Sequence, residues 1–328
     1  MSSERFLVTG ALGCIGSWSV KRLLDEGAGV WTYDLGGSDH RLRLILTDDQ
    51  LAAVNRVEGD ITDEKHFESV IADNGITHVI HLAALQVPFV RANPILGYRV
   101  NVVGTTIVFE TIKKHLDQVQ GLAYASSAGV YGAKELYPEG PLANDAAHLP
   151  PTLYGVTKQA NEWTAKIYSE ENGVHSIGLR PYTVYGPGRD QGMTSSPTKA
   201  MVAAAAGRGY HLAFGGQGVY HHADEVAALF IKAARASVEG APVYNIGGIT
   251  IDVSVVVAAI EKAVPEVAGQ FTIEDWRIPN ADAIDDSVLQ KDLGPISYRP
   301  IDDGVRESIE HFRGAIETGL LDVEKVLA

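Results

Sequence analysis

Apolar positions along the chain fall into two alternating patterns. Short continuous runs at Phe6-Leu7-Val8-Thr9, Val30-Trp31-Thr32-Tyr33, His78-Val79-Ile80-His81-Leu82-Ala83-Ala84, Gly121 to Ser127 and Ile177-Gly178-Leu179-Arg180 predict strands. Another strand is expected to end at Val57-Glu58-Gly59-Asp60-Ile61. The run from His78 is apolar enough for a strand buried on both faces. Between the runs lie helical patterns at Ser17–Glu26, with apolar Trp18, Val20, Leu23 and Leu24, then at Arg41–Val54, Asp63–Asp73, Pro94–Leu116 and Thr152–Asn172. Gly27 is a stop for the first, an Asp or Thr caps the third, and prolines open the last two. This alternation builds βαβ units, so the expected fold is α/β: a doubly wound parallel sheet. Ligands of such sheets lie at the carboxyl ends of the strands, where the strand order reverses.

The last third is patterned differently. Gly186-Pro187-Gly188 interrupts the alternation. Thr194–Gly207 and His222–Ala236 predict helices, Tyr210–Phe214 a short strand, and Val243–Ile246 a strand able to rejoin the main sheet. Phe271-Thr272-Ile273 and 285–293 are expected outside that sheet. The expected organisation is a dinucleotide-binding domain over 1–185, with a returning helix and strand around 222–248. Residues 186–328 would mainly form a smaller lobe that covers the substrate.

The first strand runs into Gly10-Ala11-Leu12-Gly13-Cys14-Ile15-Gly16, and the second ends on Asp34, 18 residues after Gly16. Strand, glycine turn, helix, strand and acid suit a dinucleotide. Gly10 permits the tight turn, Gly13 lets the backbone approach a pyrophosphate, and Gly16 lets the helix pack on the strand. The helix N-terminus offers N–H groups to the phosphates, and Asp34 can accept from ribose hydroxyls. A carboxylate there repels a 2′-phosphate, so NAD is expected rather than NADP, although His40, Arg41 and Arg43 follow. Cys14 opens the helix, where a thiol pKa is lowered; a small residue filling the loop is the simpler reading.

Composition narrows the classes. The 328 residues, 45% of them hydrophobic, can bury a substantial core, and no apolar run reaches the ~18 residues of a membrane span. Met1 to Arg5 lead directly into a strand, so no signal peptide is expected. A single cysteine excludes an internal disulfide and fits a cytoplasmic protein. Net charge −14 disfavours nucleic acid and anionic membrane as partners, but not an anionic small-molecule substrate. No Cys/His cluster has metal-ligand spacing.

Tyr154 and Lys158 stand four residues apart on one helix face. A nearby ammonium, with the positive charge of an oxidised nicotinamide, favours the phenolate of a tyrosine whose ordinary pKa is ~10. Such a tyrosine can take the proton of a secondary alcohol as hydride leaves carbon, or return it to a ketone. Strand five ends in Ser126-Ser127, and one of these hydroxyls can hold the substrate oxygen.

With these residues the chain resembles the extended short-chain dehydrogenase/reductases, in their NAD-dependent epimerase/dehydratase branch. The resemblance runs through Thr9–Gly16, Gly59-Asp60-Ile61, His81–Ala84, Asn101–Thr105, Ser126–Gly132, Tyr154–Lys158, Leu179–Tyr182, Val184–Gly188 and His222–Val226. It implies a Rossmann fold with a C-terminal substrate lobe, NAD as cofactor, and a homodimer built on the long helices. It implies that Ser127, four residues before Tyr131, is the active-site hydroxyl, with Tyr154 the acid/base. Lys158 tunes that tyrosine and binds the nicotinamide ribose. On the cofactor side it places Gly10, Gly13, Cys14, Ile15, Gly16 and Asp34, with Asp60 and Ile61 at the adenine. Leu82, Ala83, Ala84, Asn101 and Tyr182 are cofactor-side as well. His81 and His222 match scaffold positions.

The chain also departs from the family pattern. Gly218 stands where nucleotide-sugar epimerases carry an arginine for the diphosphate, and Thr183 where they commonly carry asparagine. Ala128-Gly129 replace the Asp-Glu of the 4,6-dehydratases. The leading expectation is therefore an NAD-dependent oxidoreductase acting on a small carbohydrate or sugar acid. The alternatives are a nucleotide-sugar 4-epimerase that retains its NADH and a non-catalytic NAD-binding regulator. Arg91, Arg189 and the Thr194-Ser195-Ser196 run are candidate substrate contacts or plain surface groups. His221 is a remote candidate, and Trp31 and Trp276 are expected to pack.

Overall fold

A computed structural model describes residues 4–328. Its strands are β1 (Arg5–Thr9), β2 (Gly29–Asp34), β3 (Asn55–Glu58), β4 (His78–His81), β5 (Gly121–Ala125), β6 (Ile177–Arg180), β7 (Thr183–Tyr185), β8 (His211–Leu212), β9 (Gln217–His222), β10 (Val243–Asn245), β11 (Ile249–Asp252) and β12 (Thr272–Ile273). Seven of them form one sheet in the order β10-β6-β5-β4-β1-β2-β3, parallel throughout. The chain winds outward from β1 to β3, then restarts at β4 on the other side of β1. The reversal between β1 and β4 is the topological switch point, and it opens the crevice in which ligands of such sheets bind. β10 rejoins this sheet beside β6, as its sequence suggested.

The sheet is held by burial on both faces. Phe6, Val8 and Val30 pack with Val20, Leu23 and Phe230 on one side. Leu7, Tyr33 and Val79 pack with Phe67, Val108 and Phe109 on the other. Each such side chain, fully buried, contributes about 1.5–3 kcal/mol. The helices are α1 (Cys14–Asp25), α2 (His40–Ile45), α3 (Asp48–Ala53), α4 (Glu64–Asp73), α5 (Val87–Ala92), α6 (Pro94–Tyr98), α7 (Gly104–Lys114), α8 (Leu153–Asn172), α9 (Ser196–Ala205), α10 (Ala223–Arg235), α11 (Val253–Ala263), α12 (Ser287–Leu293), α13 (Ile301–Glu317) and α14 (Val323–Leu327). None among the described residues is long and apolar enough to cross a membrane.

Several elements differ from the sequence expectation. The helix expected over 41–54 is split, because Thr47 and Gln50 form a capping box that starts α3 afresh. The helix expected over 94–116 is interrupted by a π-helical stretch at Arg99–Val103. β4 stops at His81, where the Leu82 and Ala83 N–H groups turn to the Thr9 hydroxyl, both at 3.2 Å. In the last third, β11-β9-β7 and β12-β8 make two small sheets. Helices α11 and α13, additional to those expected, bury Val256, Ile260, Ile309 and Phe312 with Met201 of α9. α12 belongs to the main core instead, where Leu289 and Leu293 join Leu179 and Tyr244. Trp276 is 48% exposed and does not pack as expected.

Candidate active site

The glycine loop joins β1 to α1 at the switch point. Gly10 has φ +66°, and a Cβ there would lie 2.7 Å from Ala83 N and 2.8 Å from the Leu82 carbonyl carbon. Its lack of a side chain therefore lets the segment after β4 pass directly behind the loop. A Cβ on Gly16 would lie too close to Gly10 O and 2.7 Å from the Ala11 Cα. What Gly16 admits is the loop itself, more than the strand. Gly13 caps α1 without a side-chain hydrogen bond, and the first turn holds no acid. The N–H groups of Cys14, Ile15 and Gly16 are thus those that a helix start offers to an anion. Asp34 accepts at 2.9 Å from Leu12 N and at 2.9 Å from Leu35 N. Burial raises its pKa, opposed by these two N–H bonds and by Arg41. An uncapped helix start beside a half-buried carboxylate fits a dinucleotide diphosphate and ribose.

The thiol of Cys14 behaves opposite to its position on the helix. Burial pushes it up to about 12, outweighing the nearby Arg189 and Arg41. Its Sγ lies 3.9 Å from Pro187 O, where the side chain fills space beside the loop.

Helix α8 holds the end of β5 at successive turns. Thr152 caps it, its hydroxyl accepting from Gly155 N at 3.1 Å. Tyr154 meets Ser127: a methyl built on Gly129 would lie 3.2 Å from Ser127 Oγ and 3.6 Å from the Tyr154 ring. Lys158 Nζ donates to Ala125 O at 2.8 Å and sits 5.7 Å from the centre of the Tyr154 ring. Glu162 accepts from the Ser126 hydroxyl. Residues 154, 158 and 162 thus take charge of residues 127, 125 and 126. This separates the two serines: Ser126 points into the core, and Ser127 stands beside the phenol. Burial raises the Tyr154 pKa, while hydrogen bonding by Ser127 and the charge of Arg189 act against it. Burial lowers Lys158 to about 8, with Glu162 opposing. Burial thus favours the neutral form of both groups and moves their pKa values apart.

Behind Ser126 lies a buried network with no sequence signal of its own. Glu162 pairs with Arg180 through Nε at 2.8 Å and Nη2 at 2.6 Å. Arg180 also reaches the Tyr131 hydroxyl at 2.5 Å, and that hydroxyl donates to Asn245 Oδ1 at 2.7 Å. The network ties β6, α8, β10 and the Ser127 turn into one block.

The segment after β7 crosses the mouth of the crevice. Trp18 Nε1 donates to Pro187 O at 2.9 Å, next to the start of α1. At its other end, a Cβ on Gly192 would collide with the Gln86 side chain, beyond β4. Between them Arg189 donates from Nη2 to Thr194 Oγ1 at 2.8 Å, and its buried Nε has no partner. Burial lowers its pKa; Cys14, Tyr154 and Asp190 are near enough to act on its charge. No carboxylate among the described residues lies within ion-pair distance of Arg189, which leaves a cation open to an anion beside Tyr154. Of the hydroxyls after it, none caps α9.

The remaining sequence candidates divide. Leu82, Ala83 and Ala84 line the turn behind Gly10, half-buried. Asp60 accepts from Thr62 N and Oγ1, both at 2.8 Å, and Ile61 is buried against α7. Asn101 is fully buried and committed to protein: it joins Leu85 N at 2.7 Å, Leu85 O at 3.0 Å and Thr157 Oγ1 at 3.1 Å. It braces the turn after β4 against α8. Tyr182 donates its hydroxyl to Ala281 O at 2.7 Å and its N–H to His221 Nε2 at 2.9 Å. That bond and burial make His221 a neutral scaffold group, its pKa lowered to about 4. His81 lies between Thr9 Oγ1 at 2.7 Å and Thr105 Oγ1 at 3.0 Å, and burial lowers it to about 3. His222 caps α10. Arg91 is an exposed surface residue.

Comparison with known proteins adds three findings. The sequence pattern of the NAD dependent epimerase/dehydratase family matches residues 6–247. UDP-glucuronate 4-epimerase 4 of Arabidopsis thaliana is 34% identical over 187 residues, 55% of this chain and 42% of that one. The chain thus spans about half the length of such curated relatives. Among solved structures, MoeE5 in complex with UDP-glucuronic acid and NAD is 26% identical with TM-score 0.77, covering 95% of this chain and 99% of that one. A monomeric L-threonine 3-dehydrogenase from a metagenome shares the fold, with TM-score 0.82 at 23% identity over 94% of this chain and 99% of that one.

Proposed function

The chain belongs to the NAD dependent epimerase/dehydratase family, and from that premise we propose that it is an oxidoreductase acting on a small carbohydrate acid. It moves a hydride at a secondary alcohol or ketone, with Tyr154 as acid/base, Lys158 tuning it and Ser127 holding the substrate oxygen. The observation that carries the substrate class is Arg189, a half-buried cation near the phenol whose buried Nε has no partner. A substrate carboxylate would complete it with charge-assisted hydrogen bonds.

NAD, bound along the α1 start and Asp34, supplies the hydride acceptor. The chain's residues do the rest. The Ser127 hydroxyl orients the carbinol oxygen toward Tyr154. Lys158, fixed by Ala125 O, favours the phenolate electrostatically. The phenolate then takes the alcohol proton while hydride leaves the same carbon, and the reverse transfer reduces a ketone.

The second reading is 4-epimerisation of a nucleotide-linked sugar acid. Two observations favour it: the similarity to UDP-glucuronate 4-epimerases, and Arg277, whose side chain lies against Gly216 at the start of β9. That cation stands near position 218, where the family arginine is missing. Net oxidation stays ahead because Gly218 and Thr183 offer no charged group of their own to a diphosphate. A pure regulator would not need the set of Ser127, Tyr154 and Lys158. The test is a panel of free sugar acids, neutral sugars and UDP-linked uronates with NAD⁺, following NADH absorbance and product stereochemistry. NADH formed with free acids supports the first reading; epimerised nucleotide sugar without net NADH establishes the second.

We further propose a homodimer through α6, α8 and the π-helical stretch. Ile95, Val103, Trp163 and Ile167 are exposed there, on elements that touch one another. A monomer by light scattering at micromolar concentration would refute it.

A further inference from the structure

Two basic side chains, His40 and Arg41, follow Asp34 and open α2. Arg41 Nη1 donates to Leu12 O at 2.9 Å, while Leu12 N donates to Asp34 Oδ2 at 2.9 Å. Guanidinium and carboxylate therefore straddle one residue, and the Arg41 charge acts on Asp34. On its other side Arg41 is taken up by Asp190, through Nε at 2.8 Å and Nη2 at 2.6 Å. The second Asp190 oxygen meets His40 Nε2 at 2.7 Å. Asp190 comes from the segment after β7, 149 residues beyond Arg41. Arg43 of α2 and Arg56 of β3 are occupied too: Asp39 holds each at 2.8 Å.

The adenosine 2′ position is where the two nicotinamide dinucleotides differ, one bearing a hydroxyl and the other a phosphate. Arginine binds phosphate by a planar fork of charged donors. With Arg41 free, the neighbourhood of Asp34 would hold such a fork with an imidazole next to it. We propose that Asp190 is a specificity-determining residue: by saturating Arg41 and His40 it withholds them from a 2′-phosphate and keeps the site selective for the 2′-hydroxyl. Asp34 repels the phosphate, and Asp190 occupies the donors that would compensate. The inference rests on the assignment of NAD as cofactor and extends it to a residue outside the nucleotide-binding motif.

The experiment titrates NADH and NADPH fluorescence with wild type, Asp190→Asn and Asp190→Ser. The ratio of the NADPH to the NADH dissociation constant is expected to fall by about tenfold or more, the scale of one regained hydrogen bond to a charged group. Adding Arg41→Leu to Asp190→Asn is expected to restore the wild-type ratio. An unchanged ratio, or equal weakening of both cofactors, would overturn the proposal and leave Asp190 a clamp for its own segment. Failure of wild type to bind NADH would instead strike the cofactor assignment itself. The readout is binding and does not depend on knowing the substrate.

Discussion

Glu162→Gln is expected to destabilise the protein far more than a surface change of the same kind. The side chains of Arg180 and Glu162 are 5% and 6% exposed, so water does little to screen either. The carboxylate accepts two bonds from Arg180, at 2.8 and 2.6 Å, and one from Ser126. Glutamine offers one acceptor oxygen and turns an NH₂ toward one of those donors. Arg180 would keep only neutral acceptors: the Tyr131 hydroxyl at 2.5 Å, Asn144 O at 2.8 Å, His148 Nε2 at 3.1 Å and Asn245 Oδ1 at 3.3 Å. Removing one partner of a buried ion pair costs about 3–5 kcal/mol. The surviving acceptors put this case at the lower end, about 3 kcal/mol. With an unfolding entropy near 2.1 cal/mol/K per residue, a chain of this length loses about 4 °C in Tm. Thermal unfolding and urea titration measure it. Replacing both partners, Glu162→Leu with Arg180→Met, is expected to recover most of the loss, since the cost lies in the orphaned charge. A Tm drop under about 1 °C for Glu162→Gln, or a double variant less stable than the single, would refute this reasoning.

Tyr154→Phe is expected to lower kcat by about 10²–10⁴-fold while NADH binding by fluorescence is kept; retention of a tenth of wild-type kcat or more would move the proton to another group. Ser127→Ala is expected to lose activity at nearly unchanged Tm, and Ser126→Ala to lose Tm with a smaller effect on kcat, because only Ser126 belongs to the Glu162 network; the opposite pattern would reverse the assignment of the two serines. His81, His221 and His222 are held at about 3, 4 and 3 by burial, below their ordinary 6.5. The unfolded chain binds these protons first, so stability is full above pH 6.5 and falls as pH drops toward 4, by about 1.4 kcal/mol per unit for each histidine. Urea midpoints at pH 7 and pH 5.5 measure the slope, and a flat profile would mean that these rings bind protons as readily in the native state as in the unfolded chain.

The parts of the site legible in the sequence are those whose chemistry is local. The glycine loop, Asp34 at the end of the next strand, and the four-residue step from Tyr154 to Lys158 each sit within one supersecondary unit. Ser127 needed the family pattern to be told from Ser126; the structure adds a reason, the pull of Glu162 on its neighbour. Glu162 itself is eight residues after Tyr154 and is legible as the same helix face, but its partner Arg180 is on another strand. Asp190 and Arg41 meet across 149 residues, and no periodicity reports such a pair. Other features were within reach of the sequence. Thr47 and Gln50 have the spacing of a capping box, and Ile301, Val305, Ile309 and Phe312 have that of an amphipathic helix. Cys14 shows two principles in competition, and burial prevails over the helix start.

The most direct test of the account follows the hydride. Substrates that react in the panel are remade with deuterium on the carbinol carbon and incubated with the protein and NAD⁺. The nicotinamide, free or extracted from the denatured protein, is then examined by NMR. Deuterium at C4 of the reduced ring, absent with Tyr154→Phe, is the expected result for net oxidation and for epimerisation alike. Product formed without deuterium on the nicotinamide would contradict hydride transfer at this site.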